Sequence, residues 1–173
     1  MRNKGAPVKE NRYKAVIVPR NGNKFIVVRN SAYGNLTFPV GGCKKSESMN
    51  ACAKRELSEE TRRTVRGGNM RRLNSFTAPR SDKELAKNRS EKKNVTMHYI
   101  IFLTNVGATN IQKTRKNFLN KTLIRNLTNK ELQSHLETSN INSKTLNQIV
   151  NNKTLWSLMR HEVVPRLKKS LGP

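Results

Sequence analysis

The sequence predicts an α/β (α+β) sandwich, a single domain over residues 1–173, and three observations carry that expectation. Short runs rich in β-branched and aromatic residues, each closed by a turn signal, lie both before and after one helical stretch. Small apolar residues on one side of that stretch suit it to lie close against a sheet. A second helical pattern closes the chain. Strands on both sides of one helix, with another helix at the end, fit a layered sheet better than a parallel βαβ series.

Taken in order, residues 1–12 read as a polar, basic lead-in. Residues 13–18 (YKAVIV) form an apolar run bounded by Pro19, Asn21-Gly22-Asn23 is a hairpin signal, and residues 24–29 (KFIVVR) supply the returning strand. A turn at 31–35 leads into a strand over 36–40 that ends against Gly41-Gly42. A helix follows over 49–61, with Ser48 as its cap and Met49, Cys52, Ala53 and Leu57 on its apolar side. Thr64 and Val65 start a short strand, Gly67-Gly68 turns the chain, and 70–76 reads as another strand. Residues 77–93 are polar and strongly basic, a long surface loop. Residues 94–103 (NVTMHYIIFL) are the clearest core strand of the second half. The stretch 104–120, with Lys113, Arg115 and Lys116, loops outward; 123–127 adds a strand; and Thr128 to Glu131 has capping-box spacing for a helix to about Leu136. Residues 138–144 read as loop. A helical region over 144–171 carries Leu146, Ile149, Val150, Leu155, Leu158 and Met159, and Pro165 interrupts or ends its regular part.

A chain of 173 residues can bury one good core, and its low hydrophobic (34%) and aromatic (5%) fractions imply solvated loops and a polar surface. Lys and Arg number 35 against 11 Asp and Glu, a net charge of +24. Such a field attracts polyanions such as RNA, DNA, inositol polyphosphates or an acidic membrane surface, and is unusual for an enzyme that handles only small neutral metabolites. A coding bias toward Lys and Asn explains part of the excess, but not the depletion of acids outside one short stretch. Cys43 and Cys52 are the only cysteines. They make no disulfide framework, so an intracellular setting, cytoplasmic or nuclear, is expected. The first residues lack an apolar signal region and no run approaches about 18 apolar residues, so no membrane partner is expected.

The chemistry concentrates in residues 38–65, FPVGGCKKSESMNACAKRELSEETRRTV. Glu47, Glu56, Glu59 and Glu60, four of the 11 acidic residues, fall within 14 positions. On a helix Glu56, Glu59 and Glu60 stand at i, i+3 and i+4, one face with a shared point in reach. Three like charges there call for a compensating ion, and a hard divalent cation with oxygen ligands is the natural one. Gly41, Glu47, Arg55-Glu56-Leu57 and Glu59-Glu60 match the signature G-x5-E-x7-R-E-U-x-E-E-x-G-U (U, bulky aliphatic) at seven positions, with Phe38-Pro39 as the usual lead-in. The chain thus resembles the Nudix hydrolases, notably the small basic mRNA-decapping and ADP-ribose-hydrolysing members of cells and large DNA viruses. The signature's closing Gly-aliphatic pair is replaced by Arg62-Arg63, so the helix is expected to end differently, with no metal ligand lost.

The resemblance implies a Nudix-type α/β/α sandwich with a mixed β-sheet and a catalytic loop–helix–loop. It implies a pyrophosphohydrolase dependent on Mg2+ or Mn2+, with Glu56, Glu59, Glu60 and a carbonyl at Gly41 as metal ligands. Glu59 and Glu60 are the catalytic carboxylates, Arg55 orients Glu59, and Glu47 supports the loop. Lys44, Lys45, Tyr33 and Arg80 are candidate substrate contacts. Glu131 and Glu137 are candidates for a further carboxylate from outside the motif. His98 reads as a core or rim residue; Tyr33, Phe38, Tyr99 and Trp156 are candidate stacking rings, with Phe38 and Trp156 expected in the core. Basic stretches at 62–72, 83–93 and 113–116 are expected to border the site and bind RNA. Hydrolysis of the mRNA cap to methylated GDP and 5′-monophosphate RNA is the expected reaction. ADP-ribose, another small nucleotide conjugate or a diphosphoinositol polyphosphate are alternative substrates, and a non-catalytic RNA-binding module on the same scaffold is the alternative from another class.

Overall fold

Two long parallel neighbours form the spine of the sheet. In the computed structural model, which describes residue 6 and residues 8–78, 93–107, 111–120 and 137–173, β1 spans Val8–Asn21. It runs parallel to the strand Lys93–Val106 (β6 in chain order), in register from Val8↔Lys93 to Arg20↔Asn105. Residues 8–12 are therefore strand and not lead-in, because backbone pairing with a neighbour does not depend on apolar side chains. Within β1 only residues 15–19 are buried, on both faces of the sheet, which is why the continuous apolar run is confined to them.

The predicted hairpin joins β1 to β2 (Lys24–Asn30) through Gly22-Asn23. β3 (Leu36–Thr37) pairs with β2, and β4 (Val40–Gly42) pairs with residues 14–16 of β1. The second edge of β1 is thus shared: β2 holds Arg20 and Asn21, and β4 holds the part next to the motif loop. α1 is Met49–Glu60, as expected within one residue. β5 (Gly67–Thr77) pairs antiparallel with β6, so Gly67-Gly68 lie inside a strand and do not turn the chain. The main order is β3-β2-β1-β6-β5, a mixed sheet.

Two segments expected as loop are regular. Residues 111–120 form α2 (Ile111–Asn120), whose polar sequence is anchored by one fully buried ring, Phe118. Residues 138–145 form β7 (Thr138–Thr145), antiparallel to β2 and with only Thr138 and Ile141 buried. A strand that contributes one apolar side chain carries no alternation for a sequence to display. The expected closing helix is broken: α3 (Leu146–Val150) is capped by a Thr145–Gln148 box and ends at Asn151. Helix resumes at residue 157, and a π-helical turn, Met159–Val163, passes into α4 (Val164–Leu171), with Pro165 as the second residue of α4, directly after the irregular turn. Of the predicted loop at 77–93, Thr77 ends β5 and Lys93 starts β6, and residues 79–92, like the predicted strand at 123–127 and helix at 128–136, lie outside the described residues.

Helices cover both faces. α1 and Phe118 of α2 close over Ala15, Ile17, Ile26, Val28, Ile100 and Phe102. The C-terminal helices close over Val16, Val18, Phe25, Val27, Ile101 and Leu103, with Phe38 fully buried, as expected, and Trp156, expected in the core, only partly buried at its margin. Among the described residues no helix is long and apolar enough to cross a membrane.

Candidate active site

α1 starts where its cap predicts: Ser48 Oγ accepts from the Ala51 amide at 3.1 Å. That start turns Cys52, Ala53 and Leu57 toward the sheet and leaves Glu56 and Glu60 at the margin of the interface, 6% and 8% exposed. Glu59 is more open. β4 crosses directly beside Glu56, and a Cβ built on Gly41 would overlap the Glu56 carboxylate. Only glycine lets the two elements approach so closely.

Arg55 ties the loop to the helix. Its Nε and Nη2 donate to the two oxygens of Glu47 at 3.1 and 2.5 Å, a bidentate pair. Nη1 donates to Glu56 at 2.6 Å and to Glu59 at 3.0 Å, and Nη2 also donates to the Gly42 carbonyl at 2.9 Å. Glu47 further accepts from the Lys44 amide at 2.8 Å. The Arg55 guanidinium holds the Glu47 carboxyl down to about 2, with the Lys44 amide assisting. Glu47 is therefore a strut between loop and helix, and Arg55 orients Glu56 as well as Glu59.

Glu60 lies deepest. Its Oε2 accepts from the buried Thr138 hydroxyl of β7 at 2.6 Å. Burial pushes its carboxyl up to about 8, and the charges of Glu137, Glu56 and Glu59 push the same way against the Thr138 bond. Burial also raises Glu56, opposed by Arg55. Glu137 is raised by burial and by Glu59, opposed by Lys14. The structure thus brings Glu137, the residue just before Thr138, into the field of the motif carboxylates. Glu137 is one of the two candidates the resemblance offers for a carboxylate from outside the motif, and its position here depends on β7. Glu56, Glu60 and Glu137, buried or partly buried, and the more open Glu59 repel one another and suit a hard cation with oxygen ligands. None of the strongest influences on Glu60 is cationic.

The remaining predicted residues are distributed around this cluster. Lys44 and Lys45 are exposed on the loop between β4 and α1, and Lys45 acts on Glu10. Tyr33 is 77% exposed on a turn whose Ser31 amide donates to the Glu137 carbonyl at 2.8 Å, which sets that turn against the entry to β7. Arg80 and Glu131 lie outside the described residues. His98 stacks on Tyr13 at the sheet rim and bonds Asn11, and Tyr99 is buried under Phe76, so neither is free to meet a base. Lys113, Arg115 and Lys116 are exposed on α2, whereas Arg62 is buried and does not belong to a solvated basic loop.

Two local features depart from expectation. α1 does close in the manner the signature's glycine would give: Arg63 N donates to Ser58 O and Arg62 N to Glu59 O, a Schellman motif. Arg62 and Arg63 adopt the left-handed conformation (φ 49° and 59°), at a cost of roughly 1 kcal/mol or more each. Cys43 and Cys52 are joined in a disulfide that ties the loop after β4 to α1. They do not remain separate thiols, and the cysteine argument for a reducing compartment falls away. The sulfurs and a Glu47 oxygen lie within 4.8 Å of one another. With the sulfurs bonded and Glu47 held by Arg55, that group is structural.

The chain matches the family model described as NUDIX domain over residues 10–123. No curated protein matches its sequence. Among solved structures it is similar to the pyrophosphohydrolase BsRppH of Bacillus subtilis, crystallised as a point mutant (16% identity, TM-score 0.57, covering 98% of this chain and 86% of that one). It is also similar to a MutT protein from Methanosarcina mazei (18% identity, TM-score 0.60, 95% and 98%) and to a NUDIX hydrolase from Nitrosomonas europaea (15% identity, TM-score 0.56, 94% and 70%).

Proposed function

Since the chain belongs to the NUDIX family of hydrolases, we propose that it cuts a phosphoanhydride bond in the triphosphate bridge of capped RNA. The products are a methylated guanosine diphosphate and a 5′-monophosphate RNA. The observation that carries RNA as the substrate is the charge of +24, with acids concentrated at one site. Exposed Arg63, Arg66, Arg71 and Arg72 beyond α1, and Lys113, Arg115 and Lys116 on α2, offer phosphate contacts outside the carboxylate cluster. An RNA substrate also implies action inside the cell, in cytoplasm or nucleus.

Glu56, Glu59 and Glu60, with the Gly41 carbonyl, are the proposed ligands for Mg2+ or Mn2+, and Glu137 is a fourth carboxylate in reach of the same charge. A bound divalent cation offsets the charge of the diphosphate and lowers the pKa of an attacking water. The chain's own residues prepare that site. Arg55 fixes Glu56 and Glu59, Glu47 fixes Arg55, and Thr138 fixes Glu60. Water oxygen forms the new P–O bond, the bridging P–O bond breaks, and Glu59, the most open of the three motif carboxylates, or Glu60 takes the proton. Lys44 and Lys45 on the loop are the proposed phosphate contacts. Tyr33, exposed on the turn against Glu137, is suited to stack a base.

ADP-ribose would use the same carboxylates but leave the basic face of α2 without a role. Capped RNA, the free cap dinucleotide, ADP-ribose and a diphosphoinositol phosphate should be compared with either metal ion. Capped RNA is expected to turn over fastest, and Glu59→Gln or Glu60→Gln to reduce the rate by more than about a hundredfold. Cleavage of ADP-ribose with capped RNA untouched would overturn the RNA assignment. No turnover of any of them would leave a non-catalytic RNA-binding module.

A further inference from the structure

The signature position occupied here by Arg62 normally needs only a residue that accepts a left-handed backbone. An arginine there is worse than glycine for that purpose, so its side chain must supply something glycine cannot. Arg62 is 4% exposed, and its guanidinium lies over the Phe118 ring of α2 at 3.9 Å. Nη1 donates to the Phe118 carbonyl at 3.0 Å, and Nη2 donates to the Thr138 carbonyl at 2.6 Å. One side chain therefore joins the end of α1, the end of α2 and the first residue of β7. The Thr138 it holds by the backbone is the same residue whose hydroxyl donates to Glu60.

We propose that Arg62 is a positioning residue that fixes the Glu60 carboxylate through Thr138, clamping the start of β7 against the C-terminal end of α1. Three features support the relay. Thr138 is 1% exposed, so its hydroxyl has no competing solvent. The residue before it, Glu137, acts on Glu60 and Glu59, so the same clamp places a fourth carboxylate. The planar, forked guanidinium can satisfy two carbonyls of different elements while stacking on a ring, which neither lysine nor glycine can do. β7 offers one apolar anchor, Ile141, and its pairing with β2 shifts register beside Thr138, so the Arg62 contact reinforces the strand where its ladder is irregular.

The inference rests on Glu60 being a cation ligand. Mn2+ affinity, measured by electron paramagnetic resonance of the free ion, tests the two separately. Arg62→Gly keeps the helix end, since glycine accepts the left-handed conformation, and removes the whole buried side chain with its guanidinium. It is expected to weaken Mn2+ binding about tenfold or more, as losses of groups that orient a ligand do. Thr138→Val is expected to weaken it similarly, Thr138→Ser to restore it, and the Arg62→Gly/Thr138→Val pair to be no worse than the stronger single change. If Glu60→Gln weakens Mn2+ binding while a cooperatively folded Arg62→Gly binds like the parent, the relay is wrong and the site assignment stands. If Glu60→Gln changes nothing, Glu60 is no ligand and both fall. Should Arg62→Gly fail to fold, the Thr138 pair decides: equal loss in Ser and Val variants, or no loss in Val, overturns the relay.

Discussion

Arg55 meets three carboxylates and a carbonyl, so its neighbours' protonation reports on the whole loop–helix junction. The Glu47 carboxyl, held down to about 2 in the fold, ionises more readily there than in the unfolded chain. Its contribution is complete above the ordinary carboxylate range near 4.5 and is lost as pH falls from there toward 2. Urea denaturation across that window should show Glu47→Gln losing less stability than the parent, from a lower starting point at neutral pH. Glu60 has the opposite sign. Its carboxyl is raised to about 8, so the unfolded chain ionises it first and the metal-free fold loses stability between about 4.5 and 8. In chelator, Glu60→Gln should be more stable than the parent, by a margin that widens across that range. Added Mn2+ should raise the melting temperature of the parent and leave the variant almost unmoved. The motif residues were legible because their geometry is set by spacing on one helix. Arg62 and Thr138 were not, because each works through a partner 56 to 78 residues away in sequence, and Glu137 was a candidate only through the resemblance.

Among the elements, α1 declared itself through Ser48, its apolar side and its carboxylate face. The β1–β2 hairpin declared itself through Gly22-Asn23. α2 and β7 stayed hidden for one reason: each buries very few apolar side chains and is held by pairing or by Arg62. The long reach of β1 was hidden too, since residues 8–12 gain their order from β6. The disulfide belongs to this scale. It closes a sequence separation of 9 residues between the motif loop and α1. A loop of that size is worth about 2–3 kcal/mol by the entropy of the unfolded chain. Reductant should lower the melting temperature of the parent and leave a Cys43→Ser/Cys52→Ser double variant unaffected. A melting temperature indifferent to reductant in the parent would show that the bond contributes nothing to the fold.

At the scale of the whole molecule, two opposite charge patterns coexist. Acids gather at α1 and the start of β7, and the surrounding chain carries the excess that makes the total +24. That asymmetry was readable from composition, whereas the arrangement of basic residues on α2 required the fold. If the basic surface holds the RNA body, kcat/KM for capped RNA should fall with salt, by about 0.7 log units per log unit of salt for each phosphate contacted. Cleavage of the free cap dinucleotide should change much less. The most direct single measurement is product analysis of cap-labelled RNA incubated with Mn2+ and either the parent or Glu60→Gln. Release of labelled methylated GDP by the parent, abolished in the variant, is the predicted result. Intact capped RNA in the parent reaction, under conditions where the protein binds that RNA, would contradict it.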